Sequence, residues 1–180
     1  LGAEEAQVQK AVEAGSAAGV VQIANDNAPG QIVISGAKAA VEAAIEAAKA
    51  DGIRKAMLLP VSAPFHCALM QPAADAMAEA LKTAAINAPK VPVVTNVSAG
   101  LVTDPETIRA QLVEQVTGRV RWRESVIFMA GEGGIDRFAE SGAGKVLSGM
   151  LKRTVDGAEG TPLNTPADLE AFAASLKGNG

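Results

Sequence analysis

The sequence predicts an α/β protein in which helices and strands stack in layers. Two observations support this prediction: short runs rich in Val and Ile alternate with alanine-rich helical segments, and 48% of the 180 residues are apolar, enough to bury a core. Near the start of the chain, the order helix, strand, strand, helix, strand is that of a split βαβ unit without its first strand. We expect that strand to lie just before Leu1, in a longer polypeptide.

The first predicted elements follow from local composition. Helix formers over residues 4–14 end at Gly15, a suitable helix C-cap. Residues 20–24 and 31–36 have the β-branched composition of two hairpin strands. Asn, Asp, Pro and Gly dominate residues 25–30 between them, which predicts the turn.

Later elements are read in the same way from apolar spacing and capping residues. Val41 and Ile45 lie on one face of a predicted helix over residues 38–50. The remaining predictions are a strand over 53–59, a helix over 69–82, a strand over 91–95, a helix from Thr103 or Asp104 to Val116, a helix over 122–130, a strand over 135–139, a turn at 140–145 that opens a helix to about residue 153, and a helix over 166–176.

Composition excludes several classes of function. A net charge of −4 argues against nucleic acid as the main ligand. One cysteine cannot form an internal disulfide, and one histidine with one cysteine cannot build a protein-only zinc site. The sequence shows neither an apolar run of the roughly 18 residues that a membrane span needs nor a signal peptide. We therefore expect a cytoplasmic protein without a metal site, nucleic-acid partner or membrane partner.

The only histidine, His66, is the first candidate for acid–base chemistry, because imidazole titrates near neutral pH. It lies in the mostly apolar segment 61–70, so a hydrogen-bonded structural histidine is the alternative interpretation. Cys67 follows directly, and neighbouring side chains diverge along a chain, which favours a buried thiol over a nucleophile. No serine lies in a G-x-S-x-G elbow, so a base at position 66 needs a nucleophile from another stretch of polypeptide.

Two further segments each allow two interpretations. Residues 142–145 resemble a phosphate-binding turn at a helix start, but Ala139 stands where a P-loop needs glycine and Val146 where it needs Ser or Thr. A tight strand-to-helix turn is therefore favoured. The basic segment 119–123 fits either a docking patch for an acidic partner or a solvated helix start with Trp122 in the core.

Several separate motifs, in order, resemble those of bacterial malonyl-CoA:acyl carrier protein transacylases. The motifs are residues 25–31, 59–66 with 68–70, 92–97, Gln115 with 120–122, and 140–147. The resemblance covers nearly the whole chain and corresponds to the C-terminal part of such an enzyme. It implies a ferredoxin-like small domain inserted in an α/β-hydrolase-like large domain. Residues 1–63 would be most of the small domain, and residues 64–180 would return to the large one.

The resemblance implies an acyltransferase of fatty acid biosynthesis. Such enzymes move malonyl from malonyl-CoA to the phosphopantetheine thiol of acyl carrier protein by a ping-pong Ser/His mechanism. His66 would be the acid–base residue and the backbone carbonyl of Gln115 would orient it. The serine would belong to an absent N-terminal part of the same enzyme, roughly 120 residues long by the scale of two-lobed proteins. No cofactor is implied, since the CoA thioester is a substrate.

The resemblance also implies ligand contacts. Asn27 and Gln31 match positions at the entrance for the pantetheine arm, and Arg54 and Lys55 match a basic pair near the CoA phosphates. Ordinary strand-edge charges are the alternative for that pair. Charge alone suggests docking sites for the acidic carrier protein at Lys55, Arg121, Lys152 or Arg153. Two other functions stay open: a non-enzymatic ferredoxin-like binding module, and an acyltransferase domain excised from a polyketide synthase.

Overall fold

A computed structural model describes residues 1–177, which fall into two units. The first is Leu1–Ser125 and the second begins at Val126. Both contain helices and strands, so the predicted α/β class is confirmed. No helix among these 177 residues is long and apolar enough to cross a membrane.

The first unit opens with two helices packed beside a β-hairpin. Its elements are α1 (Glu5–Gly15), a 3₁₀ turn (Ser16–Ala18), β1 (Val21–Ala28), β2 (Gln31–Gly36) and α2 (Lys38–Ala50). The two helices approach closely, because a Cβ on Gly15 would lie 2.5 Å from the Ala40 carbonyl oxygen and 2.8 Å from the Ala44 Cβ. Ala40 and Ala44 are fully buried, so small residues set this spacing.

The predicted turn at residues 25–30 is wrong for most of its length. β1 continues to Ala28, and only Pro29 and Gly30 connect it to β2. A distant segment explains the difference: Asp26 N donates to Val120 O at 2.9 Å, and Val120 N donates to Ala24 O at 2.8 Å. These contacts hold turn-favouring residues in an extended conformation, with two register shifts in the hairpin.

The predicted strand over residues 53–59 is also wrong. This segment has no strand assignment, and Met57, Leu58 and Leu59 each expose half or more of their surface. A strand is defined by hydrogen bonds to a neighbour, and no strand among residues 1–177 pairs with this segment. Residues 53–59 therefore have the apolar composition of a strand but not the hydrogen bonds to a neighbouring strand.

The rest of the first unit contains two helices, with short strands and a 3₁₀ turn between and before them. They are a 3₁₀ turn (Ala68–Met70), α3 (Gln71–Leu81), β3 (Val93–Val94), β4 (Leu101–Val102) and α4 (Pro105–Thr117). The predicted start of α4 is confirmed: the Asp104 carboxylate accepts a hydrogen bond from Thr107 N at 2.8 Å, with Pro105 in the first turn. β4 was not predicted, because two residues are too few to show a periodicity.

Helix α5 (Trp122–Ala130) has the predicted bounds and runs across the boundary between the units. The second unit contains β5 (Arg137–Ser141), α6 (Val146–Thr154), β6 (Glu159–Leu163) and α7 (Pro166–Lys177). β5 and β6 pair in parallel through the α6 crossover. β6 was missed because Gly160 and Pro162 disfavour a strand. α6 begins at Val146, directly after the predicted turn at 140–145.

Candidate active site

His66 lies in a strained loop just before α3. Its backbone is left-handed, with φ at 58°, a conformation that costs a non-glycine residue about 1–3 kcal/mol. Two contacts beside it hold the loop. The Cys67 thiol donates to the Pro64 carbonyl at 3.1 Å, and Ala68 N donates to the Gln22 side-chain oxygen at 2.7 Å. Residues 64–68 are called the histidine loop below.

The two neighbouring side chains of this loop have different environments. Cys67 is fully buried, which confirms the prediction of a buried thiol, whereas His66 is only half-buried. The loop thus places the imidazole at the edge of the first unit and the thiol in its interior.

The imidazole is oriented by a main-chain carbonyl. His66 Nδ1 lies 2.9 Å from Gln115 O. Gln115 is in the last turn of α4, where carbonyl oxygens have no partner within the helix and the helix dipole is negative. A carbonyl only accepts, so Nδ1 carries the proton in this contact and Nε2 has the lone pair.

This arrangement suits a proton acceptor that acts through Nε2. Among the contacts described for residues 1–177, none engages that nitrogen. The carbonyl also stabilises the ring when it is charged, the part that a carboxylate plays in a Ser-His-Asp triad. The structure therefore brings His66 and Gln115 together, although 49 positions separate them in the sequence.

Three of the four other predicted site residues line an open cavity of about 870 Å³. Asn27 and Gln31, on either side of the hairpin turn, line it together with Lys55 and Phe65. Arg54 is exposed and lies outside this lining. Because Phe65 precedes His66 directly, one end of the cavity is one residue from the imidazole.

Two arginines of the basic segment form ion pairs within the first unit. Arg123 donates to Asp26 at 2.7 to 2.9 Å, and Arg119 donates to Asp26 at 3.1 Å and to Glu5 at 2.6 Å. Asp26 is 1% exposed. The hydrogen bond from Arg119 lowers the pKa of Glu5. We call these four residues the Asp26 cluster; its role is structural, because it fixes β1 to the chain on both sides of Val120.

The Asp26 cluster was missed by sequence reasoning, which placed Asp26 in a turn. Its partners are 93 and 97 positions away, so no local signal could have revealed them. Arg121, a predicted docking residue, is similarly engaged: it pairs with Glu124 and donates to the carbonyls of Val97 and Ser98. Trp122 is half-buried, in line with a helix start that is anchored in the core.

The glycine-rich segment 142–145 is a strand-to-helix turn. Gly142 and Gly144 have φ values of 129° and 100°, which suit glycine. The Glu140 carboxylate accepts hydrogen bonds from Leu147 N at 3.0 Å, Ser148 N at 2.8 Å and Ser148 Oγ at 2.7 Å. The start of α6 is thus capped by the chain's own anion, which favours the turn over a phosphate site.

This cap predicts a pH-dependent stability. The Ser148 backbone N–H, helped by the Ser148 hydroxyl, holds the pKa of Glu140 below its usual 4.5. A lowered folded-state pKa stabilises the protein above the unfolded pKa, and the contribution disappears as the pH falls through the folded value. We therefore expect Glu140→Gln to be less stable than the parent at neutral pH, with the difference vanishing in acid. Urea unfolding at several pH values measures it; a constant difference would contradict this origin.

Among residues 1–177, no three His, Cys, Asp or Glu side chains are grouped so that they could hold a metal ion.

Comparisons with known proteins give one consistent result. A family model described as acyl transferase domain matches residues 2–167. The malonyl CoA-acyl carrier protein transacylase of Salmonella typhimurium is 47% identical over 171 residues, which cover 95% of this chain and 55% of that protein. The crystal structure of acyl-carrier-protein-S-malonyltransferase from Bartonella henselae superposes with a TM-score of 0.93 at 47% identity, covering 98% of this chain and 56% of that one.

A second similar structure holds a malonyl-transacylase in complex with its type II PKS acyl-carrier protein. Its TM-score is 0.91 at 39% identity, with 97% of this chain and 56% of that chain covered. In these comparisons the chain spans about half the length of the proteins that it matches.

Proposed function

The chain belongs to the acyl transferase domain family, and from this we propose that it supplies the histidine half of a Ser/His site that transfers malonyl from malonyl-CoA to acyl carrier protein. The high identity to malonyl transacylases supports the substrate and the partner. The matched proteins are almost twice as long, so the serine is expected in polypeptide outside these 180 residues.

The proposed reaction has two half-reactions that use the same imidazole. Nε2 of His66 takes the proton of the serine hydroxyl as the oxygen attacks the malonyl thioester, and then gives that proton to the departing CoA thiolate. A malonyl-serine ester remains. Nε2 next takes the proton of the carrier's phosphopantetheine thiol, whose sulfur attacks the ester, and returns it to the serine oxygen. No metal or cofactor takes part.

The observation that carries this proposal is the contact between His66 Nδ1 and the Gln115 carbonyl oxygen at 2.9 Å. It gives the ring the tautomer that a base needs and leaves Nε2 available. Burial supports the assignment as well, because the ring is half-buried rather than sealed in the core. A purely structural histidine would more often satisfy both ring nitrogens inside the protein.

Covalent labelling tests the proposal. The polypeptide encoded by the complete gene is mixed with malonyl-CoA in the absence of carrier protein, quenched in acid and analysed by mass spectrometry. A malonyl ester on a serine supports the mechanism, and adding carrier protein should discharge it. Absence of an adduct would favour a non-enzymatic binding module, and an adduct on Cys67 would contradict the Ser/His chemistry.

We also propose the finer fold: residues 1–63 form most of a ferredoxin-like domain, and residues 64–180 belong to an α/β-hydrolase-like domain. The cavity of about 870 Å³ supports this, because β2 and the exposed apolar residues Met57 and Leu59 line it. A first strand lying between β2 and residues 53–59 would cover those side chains and supply the absent ladder. Slow amide exchange of residues 55–59 in the complete polypeptide is the expected result, and fast exchange would contradict it.

The basic pair predicts a substrate-specific defect. Arg54 and Lys55 are both exposed, so Lys55→Glu and Arg54→Glu should each raise KM for malonyl-CoA about tenfold at low salt. kcat should change little. Malonyl-pantetheine lacks the nucleotide phosphates, so its KM should be unaffected.

Lys90→Glu, an exposed charge reversal outside this cavity, is the control for the basic pair. Equal effects of Lys55→Glu on both substrates, or a matching effect of Lys90→Glu, would contradict a role in phosphate binding.

A further inference from the structure

Asn96 holds the end of helix α4 from both sides. Its side-chain Nδ2 donates to Gln115 Oε1 at 3.0 Å, inside the last turn of the helix. Its backbone oxygen accepts a hydrogen bond from Arg121 N at 3.0 Å, just beyond the helix. One residue of the loop after β3 thus contacts the chain before and after the helix terminus.

The position of these contacts matters because Gln115 O is the acceptor for the imidazole. If α4 continued for another turn, the N–H of Arg119 would compete for that oxygen. The hydrogen bond between Asn96 O and Arg121 N diverts the chain away from the helix axis after Gly118. Gly118 helps, since a Cβ there would lie 2.9 Å from Glu114 O and 3.0 Å from Val97 Cγ1.

The side-chain contact between Asn96 and Gln115 also orients the Gln115 carbonyl, in addition to keeping it free of a helix partner. Gln115 and Asn96 are both half-buried, so their amide pair is shielded from competing water. Holding the Gln115 side chain restrains the peptide plane that carries the carbonyl. The direction of that carbonyl in turn sets the ring plane of His66 and the direction in which Nε2 points.

We propose that Asn96 is a positioning residue for the acid–base histidine, acting through Gln115. This inference deepens the proposed function and rests on it. Asn96 itself touches neither reacting atom; it fixes the main-chain carbonyl that fixes the imidazole.

Kinetics of the complete polypeptide test the proposal. Asn96→Ala should lower kcat for malonyl transfer by about tenfold, the effect of one lost hydrogen bond of ordinary strength. KM for malonyl-CoA should stay within about twofold, because no substrate contact is lost. The double variant with Gln115→Ala should be no worse than the more impaired single variant, since both changes remove the same bond.

Two further variants separate positioning from folding. Asn96→Asp should recover most of the rate, because the Gln115 amide can turn and donate to the new carboxylate. Asn87→Ala, an exposed asparagine, should behave as the parent. Failure of Asn96→Asp to recover the rate, or additive losses in the double variant, would overturn the proposal.

NMR of the His66 ring nitrogens tests the orientation of the ring independently of catalytic activity. With ¹⁵N-labelled histidine, and His66→Asn to assign the signal, the His66 ring should be protonated at Nδ1 in the parent. Asn96→Ala should shift the tautomer balance toward Nε2–H. An unchanged balance would overturn the inference. If the parent forms no malonyl ester while this shift is observed, the proposed function fails and the coupling between Asn96 and His66 stands.

Discussion

Replacing His66 with asparagine should slow malonyl transfer by about 10²–10⁴-fold, the usual contribution of a general base. Asparagine is chosen because it tolerates the left-handed backbone that His66 adopts, so the loop should keep its shape while the proton acceptor is lost. Both half-reactions should slow, since each needs Nε2. Rapid-quench measurement of ester formation and of its discharge by carrier protein checks this.

The alanine variant and its rescue by imidazole test whether the loss of rate comes from the missing base. His66→Ala should lose as much activity and also about 1 kcal/mol of stability, because alanine cannot replace the hydrogen bond from His66 Nδ1 to the Gln115 carbonyl. Added imidazole should restore part of the rate of the alanine variant. If His66→Asn retained a rate within about tenfold of the parent, His66 would be excluded as the base.

The largest loss of stability should follow Asp26→Ala. Asp26 is almost completely buried between Arg119 and Arg123. Removing one member of a buried charge cluster leaves the others unpaired, which typically costs about 3–5 kcal/mol. The low end is expected here, because the two guanidinium groups are partly exposed. Denaturant unfolding measures the change, and Asp156→Ala, at an exposed position, should have little effect.

The same variant should affect ligand binding. Asp26 ties β1 to the chain around Val120, and β1 carries Asn27, which the family resemblance places at the entrance for the pantetheine arm. A loosened hairpin should therefore raise KM for malonyl-CoA more than it lowers kcat. A loss of less than about 1 kcal/mol would show that the arginines regain their hydration easily, and would remove the cluster as a determinant of the fold.

The local sequence pattern was sufficient to predict the elements that local interactions determine. The helices Lys38–Ala50 and Trp122–Ala130 have the predicted bounds. Asp104 and Pro105 mark the start of α4 as expected. In each case the signal lies in the element or, for the Asp104 cap of α4, directly before it, so the local sequence contains the information.

Prediction failed where a partner distant in the sequence decides the structure. Asn25 and Asp26 read as turn residues, yet the backbone of Val120 and two arginine side chains hold them in a strand. Residues 53–59 read as a strand but lack the neighbour that a ladder requires. For the same reason, the contact of His66 with Gln115 was reached by family resemblance, because no periodicity connects residues so far apart.

The acceptor for the imidazole is part of the main chain, and this has a consequence for how the site is lost in evolution. No single substitution at position 115 deletes a backbone oxygen, so a missense change there leaves the acceptor atom itself in place. Insertions and deletions in α4 would displace this oxygen. Removing one residue from α4 upstream of Gln115 would turn its carbonyl by about 100° and move it about 1.5 Å along the axis. We therefore expect homologues to preserve the length of α4 more strictly than its side chains, apart from Gln115, whose amide contacts Asn96.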